Sequence, residues 1–233
     1  MNELFKYNPH VSVDCVIFGF DGEKLKILLI ERTMKDQNLS DKKLPGSIIF
    51  EKENLDEAAT RILKELTGIK NIYLSQFHSF GDPERASDPR DRNWLEKTTH
   101  TKIGRIVTVG YVALIKINRK IIFESKNTTA QWYDVKSLSN MKLAFDHNLI
   151  AEKALTHIRH RVMLEPYMLF ELLPKKFTMT QLRNLYNVIT EAKSDVRNFQ
   201  KKMLQIEGLV QLDEFKKDVP YRAPRLYKFD KKC

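Results

Sequence analysis

Apolar positions change their spacing about two thirds of the way along the chain. HVSVDCVIFGF, starting at His10, alternates polar and apolar residues and then becomes almost continuously apolar. KLKILLIER repeats the pattern after the turn residues DGE, so the two runs predict a pair of β-strands. RIVTVGYVALIKI predicts a third long strand and QWYDV a short one. Beyond about residue 155 the period changes from two to three and four. YMLFELL, MTQLRNLYNVITEA and DVRNFQKKMLQIEG predict three helices, and the strand-like pieces LVQL and APRLYKFD follow. No repeat, low-complexity segment or long linker separates the parts, so LIAEKALTHIRHRV is expected to join them as a helix. The pattern predicts an α+β chain of two domains, residues 1–155 and 156–233.

Composition sharpens this picture. With 233 residues, 42% hydrophobic and 30% charged, the chain can bury one large core or two modest ones. No apolar run approaches the roughly 20 residues that span a bilayer. The start MNELFKYNPH lacks the basic-then-apolar layout of a signal peptide, so a cytoplasmic protein with no membrane association is expected. Cys15 and Cys233 form neither a disulfide framework nor a zinc spacing, and no metal or cofactor is expected. The net charge of +10 is unevenly placed: residues 151–233 hold 17 Lys and Arg against 10 Asp and Glu, which is +7 of the total. A basic C-terminal part predicts a polyanionic partner.

The segment PGSIIFEKENLDEAATRILKELTGIK carries a more specific pattern. Asn54 is placed to cap a helix, Asp56 and Glu57 occupy its first turn, and Gly68 stands where the helix must stop. The segment resembles the Nudix box, in which a glycine, an upstream glutamate and an Arg-Glu-apolar-x-Glu-Glu-x-Gly-apolar run follow at fixed spacing. Arg61, Leu63, Glu65, Gly68 and Ile69 keep that frame, with Glu53 as the upstream acid. The box glycine falls on Ser47, and two of its acids fall on Ile62 and Leu66. In Nudix hydrolases those carboxylates gather a hard divalent cation, which needs oxygen ligands. Ile62 and Leu66 offer none, so the resemblance implies a Nudix-like α/β/α sandwich with a mixed sheet and no metal site. Glu53, Arg61 and Glu65 are expected to brace the helix by ion pairing.

A cleft without metal can still bind a small polar molecule. Asp14 interrupts a strand of valines and isoleucines, Arg32 ends the second strand, Asp82 and Arg105 flank a long charged loop, and Asp146 and His147 open the connecting helix. These six residues are the candidate effector ligands. The intervening GDPERASDPRDRNWLEKTTHTK suits a lid or an unstructured excursion.

In the C-terminal part, Phe177, Leu182, Leu185, Tyr186 and Ile189 fall on one helix face. Val196, Phe199, Met203 and Ile206 are expected to form the buried stripe of the next helix. That leaves Arg197, Asn198, Lys201 and Lys202 outward, a set of side chains able to read base edges and hold phosphates in a major groove. A hairpin carrying Lys216, Lys217, Arg222 and Arg225 supplies a wing, and Thr178, Gln181 and Arg183 complete the candidate DNA-binding set. FTMTQLRNLYNVITEAKSDVRNFQKKM resembles the winged-helix half of the Nudix-related transcriptional regulators, a family that includes regulators of NAD metabolism and arabinose-responsive regulators. The resemblance implies a non-catalytic domain that senses a sugar or ADP-ribose, and a winged helix-turn-helix that binds operator DNA as a homodimer. The arabinose type is the expected effector class, because the charged loop shows no glycine-rich phosphate cradle. The alternatives are an ADP-ribose or nucleoside-diphosphate hydrolase with a basic appendage, which Ile62 and Leu66 oppose, and an RNA binder, which the lack of interleaved aromatic residues opposes.

Overall fold

The computed structural model describes residues 6–34, 39–117, 129–217, 220 and 223–230. These residues divide into two compact units. The described residues of Met1–Phe18, Lys26–Ala113 and Asn118–Thr156 form one unit, and those of Gly19–Leu25, Leu114–Ile117 and His157–Cys233 form the other.

The first unit is built on a seven-stranded mixed sheet. β1 (Tyr7–Phe20), β2 (Leu25–Met34), β3 (Leu39–Lys43), β4 (Gly46–Phe50), β5 (Ser75–Phe80), β6 (Val107–Lys116) and β7 (Ala130–Asp134) take the order β3-β2-β1-β6-β5, with β4 also on β1 and β7 also on β2. β1 is central, which explains its continuous apolar run: every residue from Ser12 to Phe20 is buried. β4 runs antiparallel to it with Asp14 opposite Gly46, and β3 runs antiparallel to β2 with Arg32 opposite Asp41. The sequence pattern did not predict β3, β4 or β5. Each has only five or six residues, and β5 alternates too weakly to stand out from its flanks.

α1 (Leu55–Thr67) starts where its cap predicts. The Asn54 carboxamide accepts from the Glu57 N–H at 2.9 Å and the Glu57 carboxylate accepts from the Asn54 N–H at 3.0 Å, closing a capping box. Gly68 ends the helix at φ 73°, a left-handed conformation that glycine adopts without penalty. The segment between Gly81 and Lys102, read as a loop, instead contains α2 (Pro89–Thr99), with Asp88 as its N-cap and Pro89 at its first position. Only Trp94 and Leu95 mark its apolar side, so the helix rests on tertiary partners rather than on its own periodicity.

α3 (His147–Leu164) starts in the first unit and ends in the second. The second unit contains α4 (Met179–Thr190), α5 (Val196–Met203) and a three-stranded sheet ordered β8-β10-β9, where β8 is Phe177–Thr178, β9 Leu209–Phe215 and β10 Arg225–Phe229. Phe177, Leu182, Leu185, Ile189 and Met203 are at most 1% exposed. Burying each such side chain contributes roughly 1.5–3 kcal/mol. Phe170 stacks on Phe177 and Phe229, and Tyr186 leans on Phe199. Two expectations need correction here. Most of YMLFELL lies in a 3-10 helix, Pro166–Leu172, a short run that ends where Leu173, the residue before Pro174, is extended as a following proline favours. Val196 is 54% exposed rather than in the buried stripe, since it sits at the first position of α5 before the helix turns inward at Phe199.

Candidate functional site

The cleft of the first unit is centred on Asp14. Its strand partner Gly46 lets the two strands approach closely: a β-carbon there would lie 1.8 Å from Asp14 Oδ1, so any other residue would have to push one of them aside. Asp14 Oδ2 accepts from Thr108 Oγ1 at 2.7 Å and lies 3.5 Å from Arg85 Nη2. Asp14 Oδ1 lies 3.3 Å from His147 Nε2. His147 Nδ1 accepts the Leu44 N–H at 2.9 Å, so the ring carries its proton on Nε2 and donates it to Asp14. Burial alone would raise the Asp14 pKa, but His147, Arg85 and Lys43 outweigh it and hold the carboxyl well below the usual range.

Two cations line this cleft together with Trp94 and Phe145. Lys43 Nζ donates to the Gly46 carbonyl at 2.7 Å and the Leu44 carbonyl at 3.1 Å, and lies 5.1 Å from the Trp94 ring centre. Burial pushes the Lys43 pKa down to about 8, although Asp14 partly offsets it. Arg85 makes a bidentate pair with Asp146, Nε to Oδ2 at 3.1 Å and Nη2 to Oδ1 at 2.9 Å. Just behind the cleft Arg32 is buried, paired with Asp41 and with Asp91 at 2.7 Å, its guanidinium 5.4 Å from both the Trp94 and Phe145 rings.

Of the six effector residues proposed from sequence, Asp14, Asp146 and His147 therefore meet in one network, and Arg32 supports its wall. Asp82 and Arg105 are exposed and tied locally: Asp82 Oδ1 accepts from the Glu84 N–H, and Arg105 Nη2 donates to the Gly81 carbonyl. Sequence reasoning missed Lys43, Arg85 and Phe145, and placed Trp94 only in a loop suited to a lid. Lys43 shares its alternating face with Asp41 and carried a weak strand signal; Arg85 carried none, since a charged residue in a charged loop looks solvent-exposed.

The charged Nudix-box residues pair with one another. Arg61 Nε donates to Glu53 Oε2 at 2.9 Å, Arg61 Nη2 lies 2.5 Å from Glu53 Oε1, and Arg61 Nη1 donates to Glu65 Oε2 at 3.1 Å. Glu53 Oε1 also accepts the Phe50 N–H at 2.7 Å. Ile62 is fully buried, Leu66 half-buried, and Ser47 follows Gly46 in the wall of the cleft. Among the described residues no group of three His, Cys, Asp or Glu could hold an ion. Arg61 thus clamps Glu53, and through it the loop before α1.

In the second unit, Asp195 caps α5 by accepting the Arg197 and Asn198 N–H groups. Arg197, Asn198, Lys201 and Lys202 are all exposed, as the helical spacing predicts. Lys202 Nζ reaches the Met163 carbonyl at 3.4 Å. Thr178 and Gln181 close the capping box of α4, and Thr178 is buried, so neither side chain faces solvent freely. Arg183 donates to the Ser194 carbonyl at 3.3 Å and braces the turn before α5. Lys216 and Lys217 are exposed after β9, and the Arg225 guanidinium lies 5.3 Å from the Phe215 ring centre. Arg222 and Cys233 lie outside the described residues. No helix among the described residues is long and apolar enough to cross a membrane.

Comparison with known proteins matches both halves. Residues 8–154 match the Nudix domain, and residues 169–229 match the NrtR DNA-binding winged helix domain. The chain is 31% identical over 226 residues to the ADP-ribose responsive transcriptional repressor NtrR of Acinetobacter baylyi, covering 95% of this chain and 82% of that protein. The structure is similar to Shewanella oneidensis NrtR complexed with a 27mer DNA, at 25% identity and TM-score 0.73, covering 94% and 93% of the two chains. The Nudix domain of the same Shewanella protein, complexed with ADP ribose, is 28% identical with TM-score 0.52, covering 68% of this chain and 93% of that one. With both domains matched and a relative aligned over 95% of this chain, the chain belongs to the NrtR-type family of regulators, in which a Nudix domain is joined to an NrtR winged-helix DNA-binding domain.

Proposed function

We propose that this chain is a cytoplasmic, homodimeric repressor that does no catalysis, with residues 1–155 as an ADP-ribose sensor and residues 156–233 as its DNA-binding part. The observation that carries the reading is the pairing of two buried cations, Lys43 and Arg85, with the Trp94 ring in one cleft. Cations suit a diphosphate and an aromatic face suits a base, whereas a neutral sugar calls for no cation. This favours ADP-ribose over the sugar expected from sequence, and so does the ADP-ribose responsive Acinetobacter relative. In the second part, Arg197 and Asn198 would meet base edges, while Lys201, Lys202, Lys216 and Lys217 would meet phosphates.

The test has two arms. A labelled operator duplex, obtained by selecting binding sequences, is titrated with the protein in the presence of ADP-ribose or L-arabinose. ADP-ribose is expected to lower DNA affinity and arabinose to leave it unchanged; the reverse would restore the sugar reading. ADP-ribose incubated with the protein and Mg²⁺ is expected to stay intact, and release of AMP and ribose 5-phosphate, abolished by Glu65→Gln, would establish a hydrolase instead.

A further inference from the structure

Three consecutive residues at the head of α3 are each held by a different part of the cleft. Phe145 sits at φ 54° with its N–H donated to Asp91 Oδ2 at 2.8 Å and its ring 5.4 Å from the Arg32 guanidinium. Asp146 takes both arms of Arg85. His147 is clamped between the Leu44 N–H and Asp14. A non-glycine residue in the left-handed region persists only while its surroundings hold it there, so loss of one clamp biases the whole segment.

One of these clamps is open to competition. Lys43 is committed to two main-chain carbonyls, and Asp14 already has Thr108 and His147. Arg85 lines the cleft, and its closest partner is the Asp146 carboxylate, with Asp14 Oδ2 farther off at 3.5 Å; it meets Asp146 with the two-pronged geometry that phosphate oxygens accept equally well. Asp146 in turn has an alternative. Its carbonyl accepts the Ile150 N–H at 3.1 Å, which makes it the N-cap residue of α3, yet its side chain turns to Arg85 instead of the first-turn N–H groups that an aspartate at this position satisfies.

We infer that Arg85 is the diphosphate-binding residue of the effector site, and that effector binding exchanges its partner: Arg85 leaves Asp146 for phosphate, and Asp146 turns to cap α3. Each state satisfies both side chains, so the head of α3 is a two-position element that an anion can bias. The inference rests on the ADP-ribose reading above.

Calorimetric titration of the full chain with ADP-ribose tests it. Arg85→Gln is expected to weaken binding by about tenfold or more, the loss of a charge-assisted pair, and Arg85→Lys to recover part of it. Asp146→Asn is expected to tighten binding several-fold, because it removes the carboxylate that competes for Arg85. A merely structural brace would move both variants the same way, or move neither, and either result overturns the inference. Should Arg85→Gln fail to fold by circular dichroism, the lack of tightening in Asp146→Asn is sufficient to overturn it. Wild-type protein that binds no ADP-ribose overturns the effector reading and this inference together; wild type and Arg85→Gln binding alike overturns only this one.

Discussion

Gly46 and Lys43 show how single residues set the cleft. Because a β-carbon on Gly46 would meet Asp14 Oδ1 at 1.8 Å and the Val13 carbonyl at 2.9 Å, Gly46→Ala must push β4 or Asp14 aside. The cost is expected to be about 1–3 kcal/mol. Thermal unfolding should show a lower midpoint, with the stabilisation by ADP-ribose lost as Asp14 and His147 separate. Lys43 makes a pH prediction whose sign follows from its depressed pKa. The folded chain releases this proton near pH 8 and the unfolded chain near 10.5, so unfolding takes up a proton between those values. Relative to Lys43→Met, the wild type should therefore gain stability as pH rises from 8 to 10.5, by at most about 1.4 kcal/mol per unit, with no such trend below pH 7. Paired denaturant titrations across that range check both slope and window.

Among the elements, α1 and α5 were legible from their own residues and α2 was not. The caps and apolar spacing of α1 lie within the helix, and the same is true of the exposed face of α5, although that helix ends at Met203 and leaves Ile206 of the expected stripe beyond it. α2 depends on Asp91 meeting Arg32 and on Leu95 joining a core cluster with Ile48 and Ile106, and no local period reports such partners. The reading of α5 yields a direct test. Arg197→Ala is expected to cost about 1–3 kcal/mol on the selected operator and to relax preference at one base pair, while Lys201→Ala should weaken all duplexes alike and reduce the salt slope by about one. Fluorescence anisotropy on specific and random duplexes over a salt series separates the two. Equal losses on both duplexes for both variants would remove direct readout by this helix.

For the whole molecule, the two binding activities are tied by linkage, whatever the path between them. If ADP-ribose lowers operator affinity by a coupling of about 1–3 kcal/mol, operator DNA must weaken ADP-ribose binding by the same factor. Titrating each ligand with and without a saturating amount of the other measures both sides of the cycle. The Asp146→Asn variant should show a smaller coupling than wild type, since its Arg85 no longer has the Asp146 carboxylate to exchange for phosphate.

The sequence by itself determined the change of period that separates a sheet from helices, the caps and stop of α1, the frame of the Nudix box with two of its acids replaced, and the excess of basic charge beyond residue 150. All of these are set by neighbours within a few turns or strand residues, where spacing and backbone geometry are directly coupled. The tertiary structure alone decided how the cleft is assembled, because Asp14, Lys43, Arg85, Thr108 and His147 come from four strands or loops and the head of a helix. It made a half-strand lysine and a loop arginine into buried cations, left Asp82 and Arg105 at the surface, and gave Asp146 to Arg85 rather than to its own helix. The physical reason is that a buried charge is stable only with its partner in place, and strand register rather than sequence spacing determines which carboxylate meets which cation.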